Sequence, residues 1–106
     1  MWGQLSMLTK KVFIIDEECH GSIGVATSPL SAVNWLIEEE WITGLSEFAE
    51  YHGEGIGWTY TPLNKYAEAH GYGKNWKRFL RENVDDHFLE DHFLIYLRKV
   101  DLADEE

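Results

Sequence analysis

The chain has 106 residues and a formal net charge of −10, and 44% of its residues are hydrophobic and 14% aromatic. This length suits one globular domain with a modest core and excludes a second domain. The sequence shows neither the apolar run of a membrane span nor the pattern of a signal peptide, and its single cysteine rules out an internal disulfide, so we expect a cytoplasmic protein.

The first predicted element is a β-hairpin over residues 10–27, preceded by a flexible segment at residues 1–9. β-branched and apolar residues dominate "VFII" and "SIGVAT", and the glycine region between them is a hairpin signal. Either His20-Gly21 or Gly21-Ser22 fits the centre of the turn. Both registers predict the same residues on one face: Phe13, Ile15, Glu17, Cys19, Gly24 and Ala26.

A helix is predicted directly after the hairpin. Ser28 suits the N-cap and Pro29 the first helical position, and Gly44 suits the stop. Helical spacing places four apolar residues on one stripe: Val33, Leu36, Ile37 and Trp41. The acids Glu38, Glu39 and Glu40 fall near the negative end of the helix dipole, where each costs a few tenths of a kcal/mol.

The segment from Leu45 to Thr61 contains three glycines within five residues and is predicted to be a loop. A short helical turn at residues 46–51 and an extended piece at residues 58–60 fit within it. Its aromatic residues Trp58 and Tyr60 fit an interface and a buried position equally well.

Three more helices and a strand complete the predicted order. The helices run from an N-cap at Thr61 to Gly71, over residues 74–82, and from Asp85 to Glu90. The alternating segment "HFLIYLRKVDL" predicts an inner strand beside the hairpin, with Phe93 on one face and Leu94 on the other, and residues 103–106 form an acidic tail.

These elements predict one α+β domain over residues 10–102. Its small antiparallel sheet consists of the N-terminal hairpin and the C-terminal strand, packed with about four helices in the order β-β-α-loop-α-α-α-β.

The charges divide unevenly along the chain. Residues 12–64 contain nine acids and not one Lys or Arg, whereas residues 65–99 contain seven bases and six acids. The first half should project a negative field that disfavours nucleic acid and anionic lipid and attracts a basic partner. The predicted partner-binding acidic face consists of Asp16, Glu17, Glu18, Glu38, Glu39 and Glu40.

Two alternatives remain from the residue patterns. Asp16, Glu18 and His20 alternate on a predicted strand and could share a metal ion in a metal-dependent enzyme, although they match no known metal-ligand spacing. The segment "TPLNKYAEAHGYGKNWKRFLREN" has the outline of a helix-turn-helix, whose second helix would present Lys74, Lys77, Arg78 and Arg81 to DNA. We assign neither a metal nor a cofactor, and no catalytic residue.

The runs "VFIIDEECHGSIGVATSPLSAVNWLIEEEWI", "KNWKRFL" and "FLIYLRKVDL" resemble small proteins of phages and low-GC Gram-positive bacteria (Firmicutes) that form no defined functional family. The resemblance implies a compact α+β fold and an accessory, phage-related role. It transfers no catalytic residue.

The sequence therefore favours a non-enzymatic acidic accessory protein that binds and modulates a protein partner. One form of this hypothesis is a phage-related inhibitor that mimics nucleic-acid charge and binds a basic nucleic-acid-binding protein. The identity of the partner, the oligomeric state and the choice between inhibition and assembly stay open at this level.

Overall fold

The computed structural model describes residues 10–102. The predicted flexible segment at residues 1–9 and the predicted acidic tail at residues 103–106 lie outside the described residues. The described elements are, in chain order, β1 (Lys10–Glu17), β2 (Gly21–Ala26), α1 (Pro29–Glu38), β3 (Glu47–Tyr51), β4 (Trp58–Pro62), α2 (Leu63–Ala67), α3 (Trp76–Asn83), α4 (Phe88–Phe93) and β5 (Ile95–Leu102).

Within residues 10–102 the fold is α+β with four helices and two antiparallel sheets. The class and the order of the helices are as predicted, whereas the second sheet takes the place of the predicted loop. One sheet has three strands in the order β2-β1-β5, and the other pairs β3 with β4. The predicted sheet of hairpin plus C-terminal strand is therefore confirmed. The prediction of an inner C-terminal strand is wrong, because β1 is central and β5 pairs with β1 along one edge.

The hairpin turn differs from both predicted registers. Glu17 pairs with Gly21, so the turn consists of residues 18–20, and the register shifts between Ile15 and Asp16. The Glu17 carboxylate causes this turn, because it accepts hydrogen bonds from the backbone N–H groups of Cys19 and His20 at 3.0 and 2.9 Å. Gly21 follows the turn in a left-handed conformation, with φ of 76°, which glycine adopts without the steric cost of a Cβ.

The predicted face assignment is correct for residues 13–15 and 24–26, because the observed register there differs from the predicted ones by an even number of residues. Phe13 pairs with Ala26, and Ile15 pairs with Gly24. This face carries the core, in which Ile15 is fully buried. The ring of Trp35 from α1 lies so close to Gly24 that an added Cβ would meet Trp35 Cη2 at 2.9 Å.

Helix α1 begins as predicted and ends six residues before the predicted stop. The Ser28 and Ser31 side chains form a reciprocal capping box with each other's backbone N–H groups. The helix ends at Glu38 because Glu40 adopts a left-handed conformation and the chain reverses, which carries Ile42 into the core. Gly44 has a different role, since it leaves space for the indole of Trp76.

The predicted loop at residues 45–61 contains the hairpin of β3 and β4. The predicted helical turn at residues 46–51 is wrong, and the extended piece at residues 58–60 is confirmed as part of β4. Gly53, Gly55 and Gly57 all have positive φ in the connection between the strands. Clustered glycines therefore mark a tight reversal between two strands at this place.

The later helices are displaced from their predicted bounds. Thr61 belongs to β4, so α2 begins after Pro62. Helical backbone continues through Glu68 and is lost at His70 and Gly71, so the predicted stop at Gly71, whose φ is 93°, is observed. Helix α3 starts two residues later than predicted and ends one later, and α4 starts three residues after Asp85. Leu94 is left-handed and ends α4, so Phe93 is helical and the strand starts at Ile95.

One hydrophobic core joins both sheets and all four helices. Its buried members come from every helix, from β1, β2, β3 and β5, and from the segment after α1; they are Ile15, Ala26, Ala32, Val33, Leu36, Ile42, Phe48, Leu63, Ala67, Phe79, Leu80, Phe88, Leu89 and Ile95. Phe48 is at the centre of an aromatic cluster that includes Phe79 and Phe88. The core therefore fixes the β3–β4 hairpin to the helices.

Candidate functional site

The β1–β2 turn and the end of α1 meet at one end of the molecule. The rings of His20 and Trp41 meet edge to face, with ring centroids 5.2 Å apart and planes at 77°. Since Trp41 follows Glu40 directly, this contact holds the predicted acids of the turn close to those of the helix. We call this region, made of residues 17–20 and 38–41, the acidic end.

Four of the six predicted partner-binding acids are free at the acidic end. The side chains of Glu18, Glu38, Glu39 and Glu40 are exposed. Within residues 10–102, none of these four carboxylates forms an ion pair. Their charge is therefore available to a ligand from outside.

Asp16 and Glu17 have partners inside the chain. Asp16 accepts a hydrogen bond from the Ser22 hydroxyl at 2.7 Å and one from Arg98 Nε at 3.0 Å, and these two bonds lower the pKa of its carboxyl group. His20 Nδ1 donates to Glu17 Oε1 at 2.6 Å, and this bond, with those from the turn backbone, lowers the pKa of Glu17. Both carboxylates thus organise the hairpin, and Asp16 is largely neutralised by Arg98.

The three residues proposed as metal ligands do not converge. Asp16 forms hydrogen bonds with Ser22 and Arg98. His20 forms a hydrogen bond with Glu17, although the predicted strand alternation places these two residues on opposite faces. Glu18 and His20 belong to the turn, where strand alternation no longer applies. No group of three or more His, Cys, Asp or Glu side chains in the described part of the chain is arranged to hold a metal ion.

The end of α1 has an unusual residue in a special conformation. Glu40 has φ of 63°, its N–H donates to the Ile37 carbonyl, and the N–H of Trp41 donates to the Leu36 carbonyl. These two bonds form a Schellman motif, in which the left-handed position is usually glycine. A glutamate here is unfavourable both for its backbone conformation and for its charge at the helix C-terminus.

The basic segment, residues 74–81, has exposed Lys and Arg side chains, some of which have partners inside the chain. Arg78 forms an ion pair with Glu82 at 2.7 Å, which raises the pKa of Arg78, and Arg81 donates to the Asn34 side chain at 2.7 Å. Lys77 lies over the Trp76 ring at 5.6 Å. Lys74 lines a groove of about 390 Å³ between α2 and α3, together with Asn64, Lys65, Glu68, Gly73 and Trp76.

A third surface is the aromatic face of the β3–β4 hairpin, whose exposure the sequence does not determine. Trp58 and Tyr60 are exposed by 50% and 59% on the outer face of β4, and Tyr51 stands beside them on β3. Asp91 and His92 of α4 line the same surface. The alternation of aromatic residues with threonine at positions 58–61 is the sequence signal for β4, but it does not show which side the helices cover.

No helix in the described range, residues 10–102, is long and apolar enough to cross a membrane. Comparison of the chain with protein-family models, curated proteins and solved structures finds no match. The function therefore has to be argued from the chain's own surfaces.

Proposed function

We propose that this chain is a non-enzymatic accessory protein that binds a basic protein partner through its acidic end and modulates that partner. The observation that carries the proposal is Glu40. A glutamate is kept in the left-handed position where glycine would be more stable, and it extends a run of three acids at the unfavourable end of a helix dipole. Residues that cost local stability are typical of functional sites.

The electrostatics of the first half support a basic partner. The nine acids of residues 12–64 are not balanced by any Lys or Arg in that range. Such a field accelerates the approach of a positively charged surface and repels nucleic acid. The resemblance to small phage and Gram-positive proteins fits an inhibitor that presents nucleic-acid-like charge to a cytoplasmic nucleic-acid-binding protein.

Charge reversal tests this proposal. A chain with Glu38, Glu39 and Glu40 changed to Lys is compared with wild type for capture of proteins from a Gram-positive bacterial lysate, followed by mass spectrometry. A matched control changes three exposed acids elsewhere, Glu68, Glu90 and Asp101, to Lys and reaches the same net charge. We expect the first variant to lose its basic partner and the control to keep it.

Equal capture by wild type and both variants would exclude the acidic end as the binding surface. Equal loss in both variants would mean that net charge alone attracts the captured proteins, without a specific face. Thermal unfolding of each variant shows whether the fold is retained.

A second candidate function is DNA binding through the basic segment. It is favoured by the spacing of Lys74, Lys77, Arg78 and Arg81, which places four exposed cations on one side of α3 and its preceding turn. The ion pair of Arg78 with Glu82 and the five-residue length of α2 weigh against it.

Gel retardation of a random DNA duplex decides this second candidate. DNA binding that weakens with salt and is lost when Lys74 and Lys77 become Gln would support it. Free duplex at low salt and high protein concentration would eliminate it.

A further inference from the structure

The outer face of the β3–β4 hairpin presents aromatic side chains to solvent. The strand register places Tyr51 opposite Trp58 and Ala49 opposite Tyr60, so these residues share one face. Tyr51, Trp58 and Tyr60 are exposed by 55%, 50% and 59%. The ring centroids of Tyr51 and Trp58 are 5.1 Å apart and the ring planes are tilted by 51°, so the two rings form a corner that is about half exposed.

A carboxylate stands at this aromatic corner. Two shallow grooves lie on either side of Trp58: one of about 390 Å³ includes Tyr51, and one of about 250 Å³ includes Tyr60 and Leu94. Asp91 and His92 line both grooves. Trp58 and Asp91 are therefore neighbours of any group that enters either groove.

The carboxylate is held in place by its neighbour in the sequence. His92 donates from Nδ1 to the Ala49 carbonyl at 2.6 Å, and its ring stacks on Phe48 with centroids 4.2 Å apart. These contacts fix α4 against β3, so the spacing between Asp91 and the aromatic rings is set before a ligand arrives. Preorganisation of this kind lowers the entropy cost of binding.

Among the described residues, no Lys or Arg lines the two grooves. No Lys or Arg occurs in residues 12–64, which supply its aromatic residues, and no base in residues 10–102 forms an ion pair with Asp91. Electron-rich ring faces and an unpaired carboxylate together attract a positive charge. A positively charged group of another molecule would complement this surface.

We propose that this aromatic surface binds an arginine side chain of a partner protein, with the guanidinium stacked against Trp58 and paired with Asp91. A planar guanidinium suits this surface better than an ammonium, because it stacks on rings and forms forked hydrogen bonds with a carboxylate. The acidic surroundings disfavour a stacked nucleotide base, whose phosphate they would repel. The assignment rests on the proposed function in one respect, namely that the partner is a basic protein.

Short peptides test the assignment without the partner. Three blocked pentapeptides, with arginine, lysine or citrulline between glycines, are titrated into the full chain and followed by NMR shifts of the tryptophan indole N–H groups. We expect saturable binding of the arginine peptide, weaker binding of the lysine peptide, and no binding of the neutral citrulline peptide. Equal shifts with citrulline, or with lysine, would overturn the arginine assignment.

Paired variants locate the site. Trp58→Leu should weaken arginine-peptide binding by about fivefold and Asp91→Asn by about threefold, whereas the neighbouring controls Ile56→Ala and Glu90→Gln should leave it unchanged. Unchanged affinity in Trp58→Leu would refute the proposal. A dimer that Trp58→Leu dissociates would also refute it, because a second copy of the chain would then occupy the surface.

The variant with Glu38, Glu39 and Glu40 changed to Lys separates this inference from the proposed function. It should keep arginine-peptide binding, because the aromatic surface contains none of these residues. Loss of peptide binding in Trp58→Leu alone therefore tests the aromatic surface. Loss of partner capture in the charge-reversal variant alone tests the acidic end.

Discussion

Glu40 shows how one residue can oppose the stability of the fold around it. We predict that Glu40→Gly raises the free energy of unfolding by about 1 kcal/mol, because glycine adopts the left-handed conformation without the steric cost of a Cβ. Urea unfolding measures the change. The same variant should bind the basic partner more weakly, since it loses one acid of the acidic end.

Glu40→Ala is the matched control for this prediction. It removes the same charge but keeps a Cβ, so it should gain much less stability than Glu40→Gly. Equal gains in the two variants would show that charge at the helix C-terminus, and not the backbone conformation, is the source of the cost.

Tyr66 connects the hairpin of β3 and β4 to α2 by a single hydrogen bond. Its hydroxyl donates to Glu50 Oε2 at 2.7 Å, and burial together with this carboxylate raises the pKa of Tyr66 to about 12. The folded state therefore holds the phenol proton more tightly than the unfolded state, in which the pKa is about 10. The stabilisation is complete below about pH 10 and is lost as the pH rises through about 12.

We predict that an ultraviolet titration of the folded chain shows one phenol ionising near pH 12 and that Tyr66→Phe removes this step. Tyr66→Phe should also lose about 1 kcal/mol of stability at neutral pH, because the hydrogen bond to Glu50 is broken. The stability difference should shrink between about pH 10 and pH 12. Tyr60→Phe, at an exposed position, serves as the control, and a step near pH 12 that persists in Tyr66→Phe would contradict the assignment.

At the scale of single elements, capping residues and glycines predict some helix and strand ends correctly and others wrongly. Ser28 and Pro29 predict the start of α1 because capping depends on neighbouring residues alone. The predicted end of α1 at Gly44 is wrong. Gly44 has the residue type of a C-cap, but the packing of Ile42 in the core requires the chain to reverse earlier, at Glu40. The β3–β4 hairpin was predicted as a loop, since three glycines outweighed the short strands that flank them.

The close contact between β2 and α1 is a case in which the sequence was informative. Gly24 and Ala26 are small residues on the hairpin face predicted from the sequence, and the ring of Trp35 occupies the space beside Gly24. We predict that Gly24→Ala lowers the free energy of unfolding by about 1–3 kcal/mol, because the new Cβ overlaps the Trp35 ring. Thermal or urea unfolding measures the loss.

The double variant Gly24→Ala with Trp35→Leu tests the cause. The loss from Gly24→Ala should be much smaller in the Trp35→Leu background, since the overlapping ring is absent. Equal losses in both backgrounds would show that the methyl group disturbs the strand itself.

At the scale of the whole molecule, the sequence gives the number and type of charges but not their partners. The uneven distribution of acids along the chain predicted an acidic face, and four of its six residues are free at one end. The pairing of Asp16 with Arg98 could not be anticipated, because it joins residues 82 positions apart through the β1–β5 pairing. The sequence leaves Trp58 and Tyr60 equally suited to an interface and to a buried position for a similar reason, since Asp91 and Trp58 line the same grooves only when α4 packs on β3.

The net charge of −10 and the five of 19 acids that lie at the acidic end predict a response of stability to salt. Repulsion among the acids opposes folding, and screening weakens it, so the melting temperature should rise by a few degrees between about 20 mM and about 500 mM NaCl. Changing Glu38, Glu39 and Glu40 to Lys should remove most of this rise, because these acids are consecutive and lie at the negative end of α1. The control with Glu68, Glu90 and Asp101 changed to Lys has the same net charge but leaves the acidic end intact, so it should keep most of the rise. If both variants lose it equally, the repulsion is spread over the molecule and the acidic end is not a distinct electrostatic unit.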